Sequence, residues 1–205
     1  MMGPEEKAAF LANRCGKLGA SRMRIAMSYK KDGTPTAERS SLVRAIIAER
    51  LTGLSARNFV SPAMEEGILY EDEAADKWVE LTGRDLKPSR TYDHPTIDNF
   101  CASPDRELDD GLLEIKVPQV ETFIGYKLAG VVPPEYIPQM TAQCACSGKK
   151  WVGFLAYAPH VRDESKRFFM RKFVPTPEQI FLIESEAIKL LDEVDSMFSA
   201  FVEAV

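Results

Sequence analysis

The segment Ser103–Lys116, S-P-D-R-E-L-D-D-G-L-L-E-I-K, constrains the fold of this chain more than any other. Leu113-Glu114-Ile115-Lys116-Val117 alternates apolar and polar residues, the pattern of a half-buried strand with period two. Leu113, Ile115 and Val117 then share one face, and Glu114 and Lys116 the other. The Asp- and Gly-rich stretch before it has turn chemistry, so a hairpin returns Asp105 toward Glu114. Two carboxylates and an ammonium thereby converge at one sheet end. Carboxylates brought together repel and resist desolvation unless positive charge sits among them. A divalent cation that favours oxygen ligands, magnesium or manganese, meets that need. From the Glu-x-Lys triplet alone, a surface strand with solvated or mutually paired side chains is the simpler reading.

At 205 residues the chain can bury a sizeable core, and 45% hydrophobic with 28% charged residues is ordinary for a soluble globular protein. No apolar run approaches the ~20 residues of a membrane span, and no signal-peptide core opens the sequence. Cys15, Cys101, Cys144 and Cys146 form no C-x-x-C pair, and His94 and His160 stand alone. Structural zinc is not expected, and a reducing cytoplasm is the natural setting. The net charge of −5 argues against a nucleic-acid partner until its distribution is considered. Residues 1–60 carry eleven Lys and Arg against five acids; residues 61–120 carry six against fifteen; residues 177–205 carry one against seven. A basic entry with an acidic centre and rear suits a protein that grips a polyanion on one side. Charges scattered over solvated faces would give the same counts.

In chain order, a short helix opens at Pro4-Glu5-Glu6 and ends near Gly16. Lys17–Ser21 reads as a loop, with Ser21 as N-cap of a helix to about Met27. Arg14, Ser21 and the free amides there can form an anion pocket; ordinary capping beside a surface arginine is the blander account. A helix follows over about 36–51, with Leu42, Ile46, Ile47 and Leu51 inward, Gly53 as its stop, and Arg39, Arg44 and Arg50 off the stripe. The next helix, from Ser61-Pro62 to about Leu81, carries Glu71 among several acids, any one of which is by default solvated. Strands are expected at about 86–93, 98–102, 112–117, 151–157 and 168–174. Helices fill 119–129 and 135–147, and Gln139 and Gln143 share a face of the second. A broad-striped helix over about 176–204 closes over the sheet.

S-P-D followed by Glu-x-Lys resembles the P-D-(D/E)-x-K nuclease superfamily. The longer series is more specific: Arg14, Ser21, G-I-L-Y-E-D-E-A around Glu71, A-S-P-D ending at Asp105, L-E-I-K at 113–116, Tyr136-Ile-Pro-Gln139 and Trp151-x-x-Phe-x-x-Tyr157. In order and spacing it resembles the phage lambda exonuclease (YqaJ-type viral recombinase) family. That resemblance implies an α/β fold with a restriction-endonuclease-like core, a central mixed β-sheet flanked by helices, a helical N-terminal part and a long C-terminal helix. One nuclease domain would span 1–205: a DNA-end-gripping part at 1–84, the catalytic sheet and helices at 85–175, and the C-terminal helix at 176–205. The implied activity is magnesium-dependent 5′→3′ digestion of one strand at linear double-stranded DNA ends, leaving a 3′ overhang for recombination. Manganese would substitute, with two ions per site. The implied partners are two further copies in a trimeric ring and a single-strand annealing protein.

Carried over residue by residue, the metal-ligand positions are Glu71, Asp105, Glu114 and the main-chain carbonyl of Ile115. Lys116 matches the catalytic lysine and Gln139 a glutamine that helps place the attacking water. Arg14, Ser21 and Ser103 match the 5′-phosphate pocket, and Met64, more loosely, a residue that wedges between terminal bases. Arg106 departs from the family, which has glycine after S-P-D, and the net charge is acidic for a ring that threads DNA. The rival readings are a site- or structure-specific endonuclease on the same core, a decayed DNA-binding module, and an unrelated α/β domain.

Overall fold

Glycine, proline and short polar side chains set most of the element boundaries in the computed structural model, which describes residues 4–55, 62–88 and 90–204. Helix α1 (Pro4–Arg14) leads into a two-residue strand β1 (Leu18–Gly19) and a 3-10 turn at Ala20–Arg22, then the short α2 (Met23–Ala26). Ser21 therefore lies inside the 3-10 turn. It is not an N-cap: Arg22 takes the cap position of α2 and makes no side-chain cap bond. Helix α3 (Ala37–Thr52) starts where Thr36 accepts the Arg39 amide, and stops at Gly53, whose φ of 66° a side chain would strain. Helix α4 (Pro62–Thr82) carries Glu71; Ser61 lies outside the described residues.

Strands β2 (Lys87–Pro88), β3 (Tyr92–Asp93), β4 (Phe100–Ala102), β5 (Arg106–Glu107) and β6 (Leu112–Lys116) follow. Then come α5 (Val120–Ala129), a 3-10 turn at Pro134–Tyr136, α6 (Ile137–Ser147), β7 (Val152–Tyr157), β8 (Phe168–Phe173) and α7 (Pro177–Glu203). A capping box, Thr176 with Gln179, opens α7 and satisfies two of its otherwise unpaired amides.

The strands form two sheets. The larger is ordered β2-β5-β6-β7-β8 and is mixed, with β6 and β7 parallel and the other pairs antiparallel. Parallel neighbours need a crossover, which α5 and α6 supply. The smaller sheet, β1-β4-β3, pairs Leu18 with Phe100 and Gly19 with Cys101 in parallel.

Apolar side chains pack on both faces of the larger sheet. Leu113, Ile115, Leu155 and Tyr157 meet Ala74, Ala75 and Trp78 of α4. Leu112, Val152, Phe154 and Ala156 pack on the other face with residues of α2, α3, α6 and α7. Strand β6 is thus covered on both sides, where its alternation had predicted one wet face. Glu114 is enclosed because α6 lays amides, not apolar groups, against it, while Lys116 stays partly exposed. Among the described residues no helix is long and apolar enough to cross a membrane.

Candidate active site

The hairpin expected between Asp105 and Glu114 forms, and fixes the geometry of the site. Arg106 pairs with Leu113 across β5 and β6, and the Asp105 amide donates to the Leu113 carbonyl at 3.1 Å. The Ile115 amide then donates to Asp105 Oδ2 at 2.6 Å, fastening that carboxylate beside the middle of β6.

Glu114 is only 1% exposed, and an unpartnered carboxylate at such depth would cost several kcal/mol. Three donors offset that cost. Lys116 Nζ and Gln139 Nε2 reach Oε1, the latter at 2.6 Å, and Gln143 Nε2 reaches Oε2. Lys116 Nζ also stands over the Tyr136 ring, 5.4 Å from its centroid, a cation–π contact that limits its swing. Gln143 itself is fully buried and its Oε1 has no hydrogen-bond partner among the described residues, so its donor end is the one committed to the site.

Electrostatics at the pair are strained in the direction its placement dictates. Burial, then the neighbouring Glu114 and Glu71 charges, against relief from Lys116 and the Ile115 amide, raise the Asp105 pKa to about 8. Burial disfavours the Lys116 ammonium, but Glu114 and Asp105 outweigh it and its pKa is raised. Glu71 does not join these two groups in one cluster. Its Oε1 accepts from Arg106 Nη1 at 2.5 Å, and Arg106 Nη2 reaches Asp72. Accordingly, among the described residues no group of three or more His, Cys, Asp or Glu is gathered to hold an ion. Asp105 and Glu114 with the main chain of Ile115 still form a set of hard oxygen donors of the kind that suits magnesium or manganese.

Arg14 and Ser21, two of the residues expected at an anion pocket, meet at a second place. A Cβ built on Gly19 would stand 3.1 Å from Arg14 Nη2 and 4.0 Å from Ser21 Oγ, so the bare glycine lets both approach one spot. Arg14 also lies over the Phe10 ring, 5.1 Å from its centroid. Since Gly19 is level with Cys101 in a parallel pair, Ser21 and Ser103 leave the ladder at the same end. Ser103 Oγ shares a 3.0 Å hydrogen bond with Thr91. The side chain of Met64 lies outside the described residues.

Two arginines offered to a polyanion are occupied otherwise. Arg39 is buried, donating to the Ala26 carbonyl and pairing with Glu193; Arg50 donates to the Gly16 carbonyl and pairs with Asp195. Arg39 does not lie off the buried stripe as expected: it shares the face of Leu42, Val43 and Ile46, because α7 packs there and supplies Glu193 as its partner. Gln143 and the guanidinium of Arg106 are the site residues that sequence reasoning left without a role. The i, i+4 spacing of Gln139 and Gln143 was the signal for the first.

Asp105, Glu114 and Lys116 on the hairpin of a mixed, helix-covered sheet are the arrangement of the P-D-(D/E)-x-K nuclease class. Within that class the chain belongs to the family of the YqaJ-like viral recombinase domain, whose model matches residues 9–150. An alkaline exonuclease (LHK-Exo) from Laribacter hongkongensis is similar over 95% of both chains, with 32% identity and a TM-score of 0.87. The same exonuclease in complex with dAMP gives the same figures. A phage-related exonuclease from Haemophilus somnus 129PT shares the fold at 15% identity and a TM-score of 0.67, over 90% of this chain and 96% of that one. No curated protein sequence matches the chain significantly.

Proposed function

We propose that the protein is a DNA exonuclease that hydrolyses one strand of linear duplex from its 5′ end, needs a divalent cation, and leaves a 3′ overhang for recombination by strand annealing. The observation that carries this reading is the buried Glu114 carboxylate, oriented by Lys116, Gln139 and Gln143 beside a strained Asp105. Identity of 32% to an alkaline exonuclease over 95% of the chain supports it.

Magnesium, or manganese in its place, held by Asp105, Glu114 and the Ile115 carbonyl with Glu71 serving a second ion, would supply a water of lowered pKa and neutralise the leaving oxygen. The chain's own groups do the rest. Gln139 and Lys116 converge on Glu114 Oε1, so an attacking water beside that oxygen is oriented by the amide and ammonium there, with one lone pair left free to attack phosphorus. Lys116 balances the negative charge that grows on the phosphoryl oxygens. Arg14, Ser21 and Ser103 hold the 5′-phosphate, with Met64 as a wedge between the terminal bases. A phosphate at the mouth of the β1–β4 ladder lies next to Asp105, two residues beyond Ser103, so end recognition and cleavage become neighbours. A trimeric ring threaded by DNA and a single-strand annealing protein complete the reading.

The test is digestion of linear duplex labelled at either 5′ or 3′ ends, with magnesium and with chelator. The expected outcome is magnesium-dependent loss of the 5′ label before the 3′ label, faster from 5′-phosphate than from 5′-hydroxyl, with covalently closed circles intact. Cutting of closed circles would establish the endonuclease instead. Binding of DNA ends without hydrolysis under any divalent cation would leave only a decayed module.

A further inference from the structure

Arg106 binds both side chain and main chain at the site. Its Nη1 donates to Glu71 Oε1 at 2.5 Å and to the Asp105 carbonyl at 2.7 Å, while Nη2 reaches Asp72. The guanidinium is 18% exposed and Glu71 33%, so water screens this fork far less than it screens a surface pair. Guanidinium stays charged at every working pH. Glu71 is therefore held by a permanent cation belonging to the chain itself, on the α4 side of the hairpin, whereas Asp105 and Glu114 face Lys116.

We propose that Arg106 is a tethered counter-ion that competes with a divalent cation for Glu71, and so makes the two cation positions of the site unequal. This rests on the metal-dependent reading above. An ion shared by Asp105 and Glu114 displaces no arginine. An ion that needs Glu71 must first separate it from Nη1, and Asp72 gives the freed guanidinium a second anchor. Arg106 is thus a positioning residue: it sets how much cation the second position requires, without touching the scissile phosphate.

The experiment is calorimetric titration of manganese into the DNA-free protein, with unbound manganese followed by its electron-spin resonance. Wild type is compared with Arg106→Gln, which keeps a side chain fit for β5 but removes the charge, and with Arg106→Lys. Wild type should bind one ion tightly and a second at least tenfold more weakly. Arg106→Gln should tighten the weak position about tenfold and leave the tight one in place, with Arg106→Lys between the two. A weak position unchanged or weakened in Arg106→Gln, with an unaltered circular dichroism spectrum, overturns the inference alone. Absence of manganese binding in wild type as well overturns the metal-dependent reading beneath it. Should Arg106→Gln fail to fold, Arg106→Lys decides the matter by the same comparison with wild type.

Discussion

Asp105→Asn should stabilise the protein in the absence of metal while abolishing cleavage, and the gain should grow with pH. In the unfolded chain Asp105 titrates near 3.8; folded, burial and the adjoining carboxylates raise that to about 8. Between these limits the folded state holds a proton that the unfolded state has released, so stability falls as pH rises, and the loss levels off above about 8. One proton corresponds to ~1.4 kcal/mol per pH unit, so wild type should lose about 3 kcal/mol relative to Asp105→Asn between pH 5.5 and 8. Asparagine is the right replacement because its amide oxygen can still accept the Ile115 amide that now bonds Oδ2 at 2.6 Å. The assay is urea unfolding in chelator at several pH values across that window. Added magnesium should reverse the ranking by stabilising wild type alone. A stability gap that stays constant from pH 5.5 to 8 would refute the assignment of strain to Asp105.

Lys116→Ala should abolish hydrolysis and spare binding of DNA ends; retained turnover would remove Lys116 from the mechanism. Arg14→Ala should narrow the preference for 5′-phosphate over 5′-hydroxyl ends about tenfold, the scale of one lost charge-assisted hydrogen bond, and an unchanged ratio counts against the pocket. Gln143→Ala takes a donor from the buried Glu114 and should cost about 1–3 kcal/mol in thermal unfolding; an unchanged melting temperature would show the contact to be idle. Gly111→Ala places a Cβ 2.3 Å from the Trp151 ring and should cost about 1–3 kcal/mol by overpacking, with normal stability as the contrary result.

Much of the helical frame was legible because its punctuation is local. Gly53, Gly130 and Gly148 take positive φ at the ends of α3, α5 and α6, just past the residues where the sequence ends those helices. The hairpin was legible for the same reason, since Asp105 and Glu114 are joined by a short turn. Strand β1 was not: two residues carry no period, and Leu18 becomes a strand only through Phe100, far away in sequence. The depth of Glu114 was hidden likewise, because alternation reports polarity and not what covers the polar face. Arg39 and Arg50 looked free for want of any local clue to α7, whose Glu193 and Asp195 lie more than a hundred residues on.

The pairing of α3 with α7 has a consequence for the way a polyanion would be held. Arg39 and Arg50 already have protein carboxylates as their counter-ions, so neither would expel a cation from the DNA atmosphere on docking. Each phosphate contact by a free basic residue steepens the fall of affinity with added salt, and these two would add nothing to that slope. Among the described residues, attraction at the basic end thus rests on Arg14 and on the exposed Arg24, Lys30, Lys31 and Arg44. Affinity should fade with ionic strength less steeply than the eleven basic residues of 1–60 would suggest, leaving more of the discrimination to the chemistry of the strand terminus.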